Sequence, residues 1–281
     1  MKILVTGASG FIADHVINQL LMSGHEVIAT SRDRNKILHK KWFSNVNFIE
    51  YDISQPSDAL NLFEFFNEPD AMIHLAWSYL PDYKTEKHIE VCLKEHIVFL
   101  ENLIHTGLKD LTVTGTCLEY GLIEGELKED MNVDPVTNYG KAKNLLRICL
   151  EKLQQKNTFS FKWIRLFYMY GKGQNPRSLF SLLEKSIRNK EKRFNMSSGE
   201  QTRDYLPIER VADHIVKIAL QTKYNGIVNC CSGNPVKVKH LAEKIIKESH
   251  SDMELNLGFY PQNDYEPFNF YGSTAILKTI A

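Results

Sequence analysis

Tyr139 and Lys143 stand four residues apart where a helical pattern begins, in the stretch Thr137-Asn138-Tyr139-Gly140-Lys141-Ala142-Lys143. On a helix that spacing puts both side chains on one face, with the amine one turn from the phenol. A free tyrosine titrates near about 10, so at neutral pH it exchanges protons poorly unless something stabilises the phenolate. A fixed cation does so, and each unit of depression takes about 1.4 kcal/mol of differential stabilisation. The pair therefore suggests acid–base chemistry at a hydroxyl or a carbonyl. A surface Tyr and Lys on any helix share the same spacing, so the rest of the chain must supply the context.

The elements that would position this pair begin at the N-terminus. Lys2 to Thr6 reads as a buried parallel strand and feeds Gly7-Ala8-Ser9-Gly10-Phe11-Ile12-Ala13, followed by a helical pattern through Leu21 and a stop at Ser23-Gly24. Strand, glycine turn and helix N-terminus in that order form a phosphate site, because glycines admit the anion to the backbone and the first helical amides point at it. Gly7, Ser9, Gly10, Phe11 and Ile12 are the candidates for holding a dinucleotide. The next strand, Glu26 to Thr30, ends in Ser31-Arg32-Asp33-Arg34. An acid at a strand end of this kind meets a ribose diol, whereas Ser or Arg meets a 2′-phosphate. Ser31 and Arg32 place NADP(H) ahead of NAD(H); a one-residue shift would bring Asp33 to the diol instead.

Further strands are expected at Asn47 to Tyr51, Ala71 to Leu75 and Leu111 to Thr114, with helices at Pro56 to Phe66 and at 84 to 106. The alternation specifies an α/β fold with a doubly wound parallel sheet, a Rossmann arrangement whose ligand lies at the strands' carboxyl ends. Lys plus Arg equals Asp plus Glu at 34 each, so no net field recruits nucleic acid or an anionic membrane. The five cysteines are scattered, with neither a disulfide nor a zinc pattern, and no metal is expected. No apolar run approaches the about 20 residues of a membrane span, and the chain opens on a strand rather than a signal peptide. These features point to a soluble, cytoplasmic protein.

The glycine motif, His74-Leu75-Ala76, Gly115-Thr116-Cys117-Leu118-Glu119-Tyr120-Gly121 and Tyr139 to Lys143 come in the order and spacing of the extended short-chain dehydrogenase/reductases, the nucleotide-sugar epimerase, dehydratase and reductase family. The resemblance continues through Arg165 to Gly171 (RLFYMYG), Gly199 to Asp213 (GEQTRDYLPIERVAD) and Asn229 to Gly233 (NCCSG), nearly the whole chain. It implies that Tyr139 is the acid–base residue, that Lys143 also bonds the nicotinamide ribose, and that Thr116 bonds the sugar oxygen at the reacting carbon. It further implies cofactor contacts at Asp52-Ile53, with Asp52 meeting the adenine amine, and at Leu75-Ala76. Arg203 resembles the family's arginine that reaches the substrate diphosphate or its ribose, and Arg177 is a weaker candidate cation for the phosphates. The family often has Asn where His96 and Tyr168 stand, and these departures weaken any transfer of roles there.

Residues 1–165 are expected to form the NADP-binding domain and 166–281 a smaller lobe for a nucleotide-diphosphate sugar, with 207–229 returning to the first domain. Dehydratases of the family follow the Thr with an Asp-Glu or Ser-Glu pair, and here those places hold Cys117 and Leu118. Glu119 comes one residue late, which in strand-like geometry points it away. An epimerase would keep NAD, which Ser31-Arg32 disfavours. The expected activity is therefore NADPH-dependent reduction of the C4 ketone of a nucleotide-linked 4-keto-6-deoxyhexose in deoxysugar and surface polysaccharide synthesis. The alternatives are an NAD-using 4-epimerase and a non-catalytic NADP-sensing regulator. The broad apolar surfaces at 84 to 106 and 139 to 154, two helices that pair across a two-fold axis in this family, imply a homodimer.

Overall fold

The computed structural model of the chain describes residues 1–55, 60–262 and 264–280. Its centre is a seven-stranded sheet in which every pair is parallel, ordered Gly226–Cys230, Ser160–Leu166, Asp110–Thr116, Ala71–His74, Lys2–Thr6, Glu26–Ser31 and Asn47–Glu50. Side chains alternate across such a sheet, so each strand feeds two cores. Ile3 and Val5 pack on one side with Val16, Ile17 and Leu20 of the helix Phe11–Met22 and with Val211 and Ile215 of the helix Ile208–Leu220. Leu4 faces the other side, where Phe99 and Leu103 of the helix Leu93–Thr106 meet Ala142, Leu146 and Leu150 of the helix Asn138–Gln154. A sheet buried on both faces explains why its strands read as near-continuous apolar runs. The strand order reverses between Lys2–Thr6 and Ala71–His74, and that reversal opens the crevice where ligands of doubly wound sheets bind.

A second body lies beside the carboxyl edge. It has a three-stranded sheet, Pro235–Lys237, Thr202–Pro207 and Tyr168–Tyr170, and the helices Leu179–Arg188 and Val238–Glu248. Its own core contains Phe180, Leu183, Phe194, Met196, Leu241 and Ile246. The chain crosses back through Ile208–Leu220, whose strand successor Gly226–Cys230 forms an edge of the large sheet.

Two expected helices differ in detail. Residues 84–106 do not form one regular helix: His88–Cys92 winds as a π-turn before the α-helix starts at Leu93. Apolar periodicity over two dozen residues does not resolve a single wider turn. Of the helix read at Pro56 to Phe66, residues 56–59 lie outside the described residues; Leu62–Phe65 is helical, and the Asn61 side chain accepts from the Glu64 N–H at 3.1 Å. Among the described residues, no helix is long and apolar enough to cross a membrane.

Candidate active site

The glycine loop fits a dinucleotide by close approach. Gly7 has φ of +69°, and a Cβ there would stand 2.9 Å from the backbone N and Cα of Ala76. Only glycine lets these two loops meet. Gly10 is the N-cap of Phe11–Met22 and offers no side-chain acceptor to the first turn, which leaves its amides for an anion. The adjoining cavity of about 180 Å³ is lined by Gly7, Ser9 and Gly10, by Ser31, Arg32, Asp52 and Ile53, and by Leu75 and Ala76. Phe11 and Ile12 instead turn their side chains to the core behind the loop. At these first two helical positions only the backbone amides are left to meet a ligand. Asp33 is occupied elsewhere: its carboxylate accepts from Asn35 N–H at 3.0 Å and lies 3.9 Å from the Lys36 ammonium. Asp52 accepts from both the N–H and the hydroxyl of Ser54, at 3.0 and 2.8 Å. The cavity wall also includes Thr6, Trp77, Glu95 and His96, which sequence reasoning had not placed there.

Thr116 ends its strand and caps the short 3₁₀ turn Cys117–Tyr120, its Oγ1 accepting from Leu118 N–H at 3.3 Å. Thr137 caps the helix Asn138–Gln154 in the same manner, accepting from Gly140 N–H at 3.0 Å. Gly140 brings the two together, since a Cβ there would stand 2.7 Å from the Leu118 carbonyl oxygen. The helix N-terminus thereby rests directly on the turn that follows Thr116. The Tyr139 ring is packed against His88, Tyr83 and Trp77 at centroid distances of 5.3, 5.6 and 6.0 Å.

The Tyr–Lys electrostatics differ from the expectation. The Lys143 ammonium, 1% exposed, donates to the Thr114 carbonyl at 2.9 Å and lies 4.0 Å over the Trp77 ring. It addresses a carbonyl and an indole face, not the phenol. Burial lowers its pKa to about 7, opposed by the carboxylate of Glu119. Burial raises the pKa of Tyr139 well above that of a free phenol, and Tyr83 and Glu119 add to the effect. Desolvation outweighs the stabilisation expected from the cation, and Tyr139 stands as a protonated acid. Trp77 is held in turn by its Nε1–H, which donates to His88 Nδ1 at 3.1 Å, and His88 Nε2–H donates to the Asp82 carbonyl at 2.8 Å.

Glu119 is withdrawn from the site, for a reason other than strand alternation. It occupies the third position of the 3₁₀ turn and accepts from the backbone N–H of Thr116 at 2.9 Å, from Arg165 Nε at 2.9 Å and from Trp163 Nε1 at 3.0 Å. Completely buried and thus paired, it anchors the turn that presents Thr116.

On the far side of Tyr83 a cleft of about 620 Å³ opens towards the second body, lined by Arg177, Arg203, Tyr168 and Glu266 among others. Arg177 is exposed there. Arg203 is not free: its Nη2 and Nε donate to Glu266 at 2.8 and 3.3 Å, and its Nη1 donates to the carbonyls of Thr202 and Phe268 at 2.8 and 3.0 Å. Tyr168 donates its hydroxyl to the other oxygen of Glu266. In the same motif Asp204 accepts from the backbone N–H groups of Ser232 and Gly233 at 2.6 and 2.8 Å, a structural clamp. Glu266 escaped the sequence reading because 63 residues separate it from Arg203.

A glycine-turn dinucleotide pocket, a buried Tyr-x-x-x-Lys pair beside a strand-end threonine and a second cleft beyond them together define an extended short-chain dehydrogenase/reductase, a nicotinamide-dependent enzyme. Residues 3–231 match the NAD dependent epimerase/dehydratase family, and the chain belongs to it. A dTDP-6-deoxy-L-talose 4-dehydrogenase (NAD(+)) of Aggregatibacter actinomycetemcomitans is 27% identical over 97% of this chain and 100% of the relative. A CDP-abequose synthase of Salmonella muenchen is 22% identical over 99% of this chain and 91% of the relative. Among solved structures, a UDP-glucuronic acid 4-epimerase from Bacillus cereus, in complex with UDP-glucuronic acid and NAD, superposes with a TM-score of 0.83 at 24% identity, covering 100% of this chain and 92% of that one. At that identity the likeness establishes the fold alone.

Proposed function

We propose that this enzyme reduces the C4 ketone of a nucleotide-linked 4-keto-6-deoxyhexose with NADPH, in deoxysugar synthesis. The observation that supports this reading is the seating of Gly140 on the Leu118 carbonyl, which rests the helix that carries a protonated Tyr139 on the turn that follows Thr116. The relative named as a 4-dehydrogenase works on the same bond, because oxidation of a C4 hydroxyl and reduction of a C4 ketone are one hydride transfer read in two directions. We propose the division read from the sequence, 1–165 for the dinucleotide and 166–281 for the sugar nucleotide with 207–229 returning. A homodimer through Leu93–Thr106 and Asn138–Gln154 and a cytoplasmic setting complete the proposal; exposed Val98 and Leu145 on these helices support the dimer, and five free cysteines support the setting.

The cradle at Gly7 and the uncapped amides beyond Gly10 fit a dinucleotide diphosphate. Arg32 and Ser31 on the cavity wall, with Asp33 turned into its own loop, favour a 2′-phosphate; the NAD(+)-dependent relative keeps NAD as the second reading. A bound nicotinamide supplies the hydride. This chain supplies the proton: the Thr116 hydroxyl, whose lone pair already accepts from Leu118, donates to the C4 oxygen and orients it, and Tyr139 delivers its phenolic proton there as negative charge develops. Lys143, held on the Thr114 carbonyl one helical turn away, offsets the charge left on Tyr139. Glu119, bound to Arg165 and Trp163, has no part in proton removal, which disfavours a dehydratase.

The test is incubation with a panel of dTDP-, CDP- and GDP-4-keto-6-deoxyhexoses and NADPH, following loss of nicotinamide absorbance and product mass. Tyr139→Phe should lower turnover by at least about a hundredfold with NADPH binding nearly intact, and Thr116→Val should impair the chemical step alone. A near-normal rate in Tyr139→Phe would sink the mechanism. Interconversion of two 4-hydroxy epimers without net NADPH loss would move the enzyme to the epimerases, and dinucleotide binding without any turnover across the panel would favour a sensor.

A further inference from the structure

His74 and His96 form a buried pair whose protons can be placed by counting donors and acceptors. Thr6 Oγ1 accepts from the backbone N–H of Leu75 at 3.1 Å and of Ala76 at 3.3 Å. A hydroxyl has two acceptor sites and one hydrogen, so with both sites filled the Thr6 hydrogen goes to His74 Nδ1, 2.9 Å away. His74 is fully buried, and burial together with the charge of Lys143 keeps it neutral. Accepting at Nδ1, it carries its proton on Nε2, which donates to His96 Nδ1 at 2.7 Å. His96 is neutral as well, held so by burial and the Lys143 charge, with its pKa lowered to about 3. Its proton therefore stands on Nε2. Running the series in reverse would ask Thr6 Oγ1 to accept a third hydrogen bond.

The ring is also fixed in orientation. Trp77 stacks on His96 at 4.6 Å with 21° between planes, and Phe99 lies against His74 at 5.8 Å. His96 is only 3% exposed, yet it lines the same dinucleotide cavity as Gly7, Ser9 and Gly10. With Nδ1 committed to His74, the polar atom that it can offer the cavity is Nε2–H. We infer that Thr6 and His74 are positioning residues that lock His96 in the Nε2–H form, so that it donates to a sugar or phosphate oxygen in the middle of the bound dinucleotide. A donor at that place favours ligands with a diphosphate–ribose segment over a simple adenosine monophosphate. The inference rests on the dinucleotide reading of the cavity and goes beyond it, since glycine loop and strand-end residues alone would bind without this series.

The test uses the full chain and reads binding and spectroscopy, not turnover. Long-range ¹H–¹⁵N correlation spectra of the wild-type protein should show both His74 and His96 protonated at Nε2. In calorimetric titrations, His96→Phe should weaken NADP⁺ and ADP-ribose by about tenfold, the scale of one lost hydrogen bond, while AMP changes less than about twofold and thereby reports an intact fold. His96→Asn, which keeps a donor, should recover part of the loss. Thr6→Val should leave His96 in mixed tautomers and weaken ADP-ribose, and Thr6→Ser should restore both. An Nδ1-protonated His96 in the wild type, or unchanged ADP-ribose affinity in His96→Phe, would overturn the inference. Failure of the wild type itself to bind NADP⁺, NAD⁺ and ADP-ribose would instead overturn the dinucleotide reading and the inference with it.

Discussion

Replacing Lys143 by Met should stabilise the protein at low pH and lose that advantage as the pH rises. In the folded chain the amine titrates near about 7 because it is buried, against 10.5 for a free lysine. The sign follows from proton counting: between these values the unfolded chain holds a proton that the folded one has released, so wild-type stability climbs with pH across that window. The penalty for burying the charge is fully present below about 7 and gone above about 10.5. Integrating the linkage relation from pH 6 to pH 9 gives about 3 kcal/mol, an order-of-magnitude figure. Met lacks the titration. Its fixed losses, the bond to the Thr114 carbonyl and the contact with Trp77, are nearly the same at both pH values and cancel in the difference. Urea unfolding of both proteins at pH 6 and pH 9 therefore isolates the term. The stability difference, variant minus wild type, should fall by about 3 kcal/mol between the two conditions. A difference that stays constant within about 0.5 kcal/mol would show that the ammonium is not desolvated in the folded state, and the electrostatic description of the site would fail.

Cofactor choice can be tested at Arg32, which lines the cavity while Asp33 is occupied by its own turn: Arg32→Gln should weaken NADPH binding by at least about tenfold and NADH binding little, and equal losses for both would refute the assignment. The ion pair of Arg203 with Glu266 predicts that Glu266→Gln lowers the melting temperature yet tightens dTDP binding, by freeing the guanidinium for a diphosphate; unchanged dTDP affinity would leave Arg203 a structural residue. A homodimer through Leu93–Thr106 and Asn138–Gln154 should sediment as such at micromolar concentration, and Leu145→Glu should release monomers. A wild-type chain that sediments as a monomer would remove that part of the proposal.

How much of this was legible beforehand depends on the range of the interaction. The parallel sheet followed from apolar runs alternating with helical patterns, and the phosphate loop from glycines placed between a strand and a helix. Tyr139 and Lys143 followed from a four-residue spacing. All of these are local: backbone geometry converts short spacings into a shared face or a turn wherever the segment sits in the fold. What Lys143 touches was not local. Its ammonium meets Thr114, 29 residues earlier, and the indole of Trp77, and neither partner is implied by the helix that carries it. Burial then reversed the expected balance, leaving Tyr139 protonated and Lys143 with a lowered pKa, because desolvation depends on everything packed around a group and not on its neighbours in sequence. Glu119 shows the same division. Its offset from Thr116 marked it as misplaced for catalysis, while the arginine and tryptophan that capture it come from a strand more than 40 residues on. Arg203 and Glu266, or Thr6, His74 and His96, meet only when the sheet order and the second body bring distant strand ends together. The sequence by itself determined the elements and the residues able to do chemistry. The tertiary structure decided which of those residues are already spent on one another, since a hydrogen bond or an ion pair needs contact within a few ångströms, and for distant residues only the packed fold sets that distance.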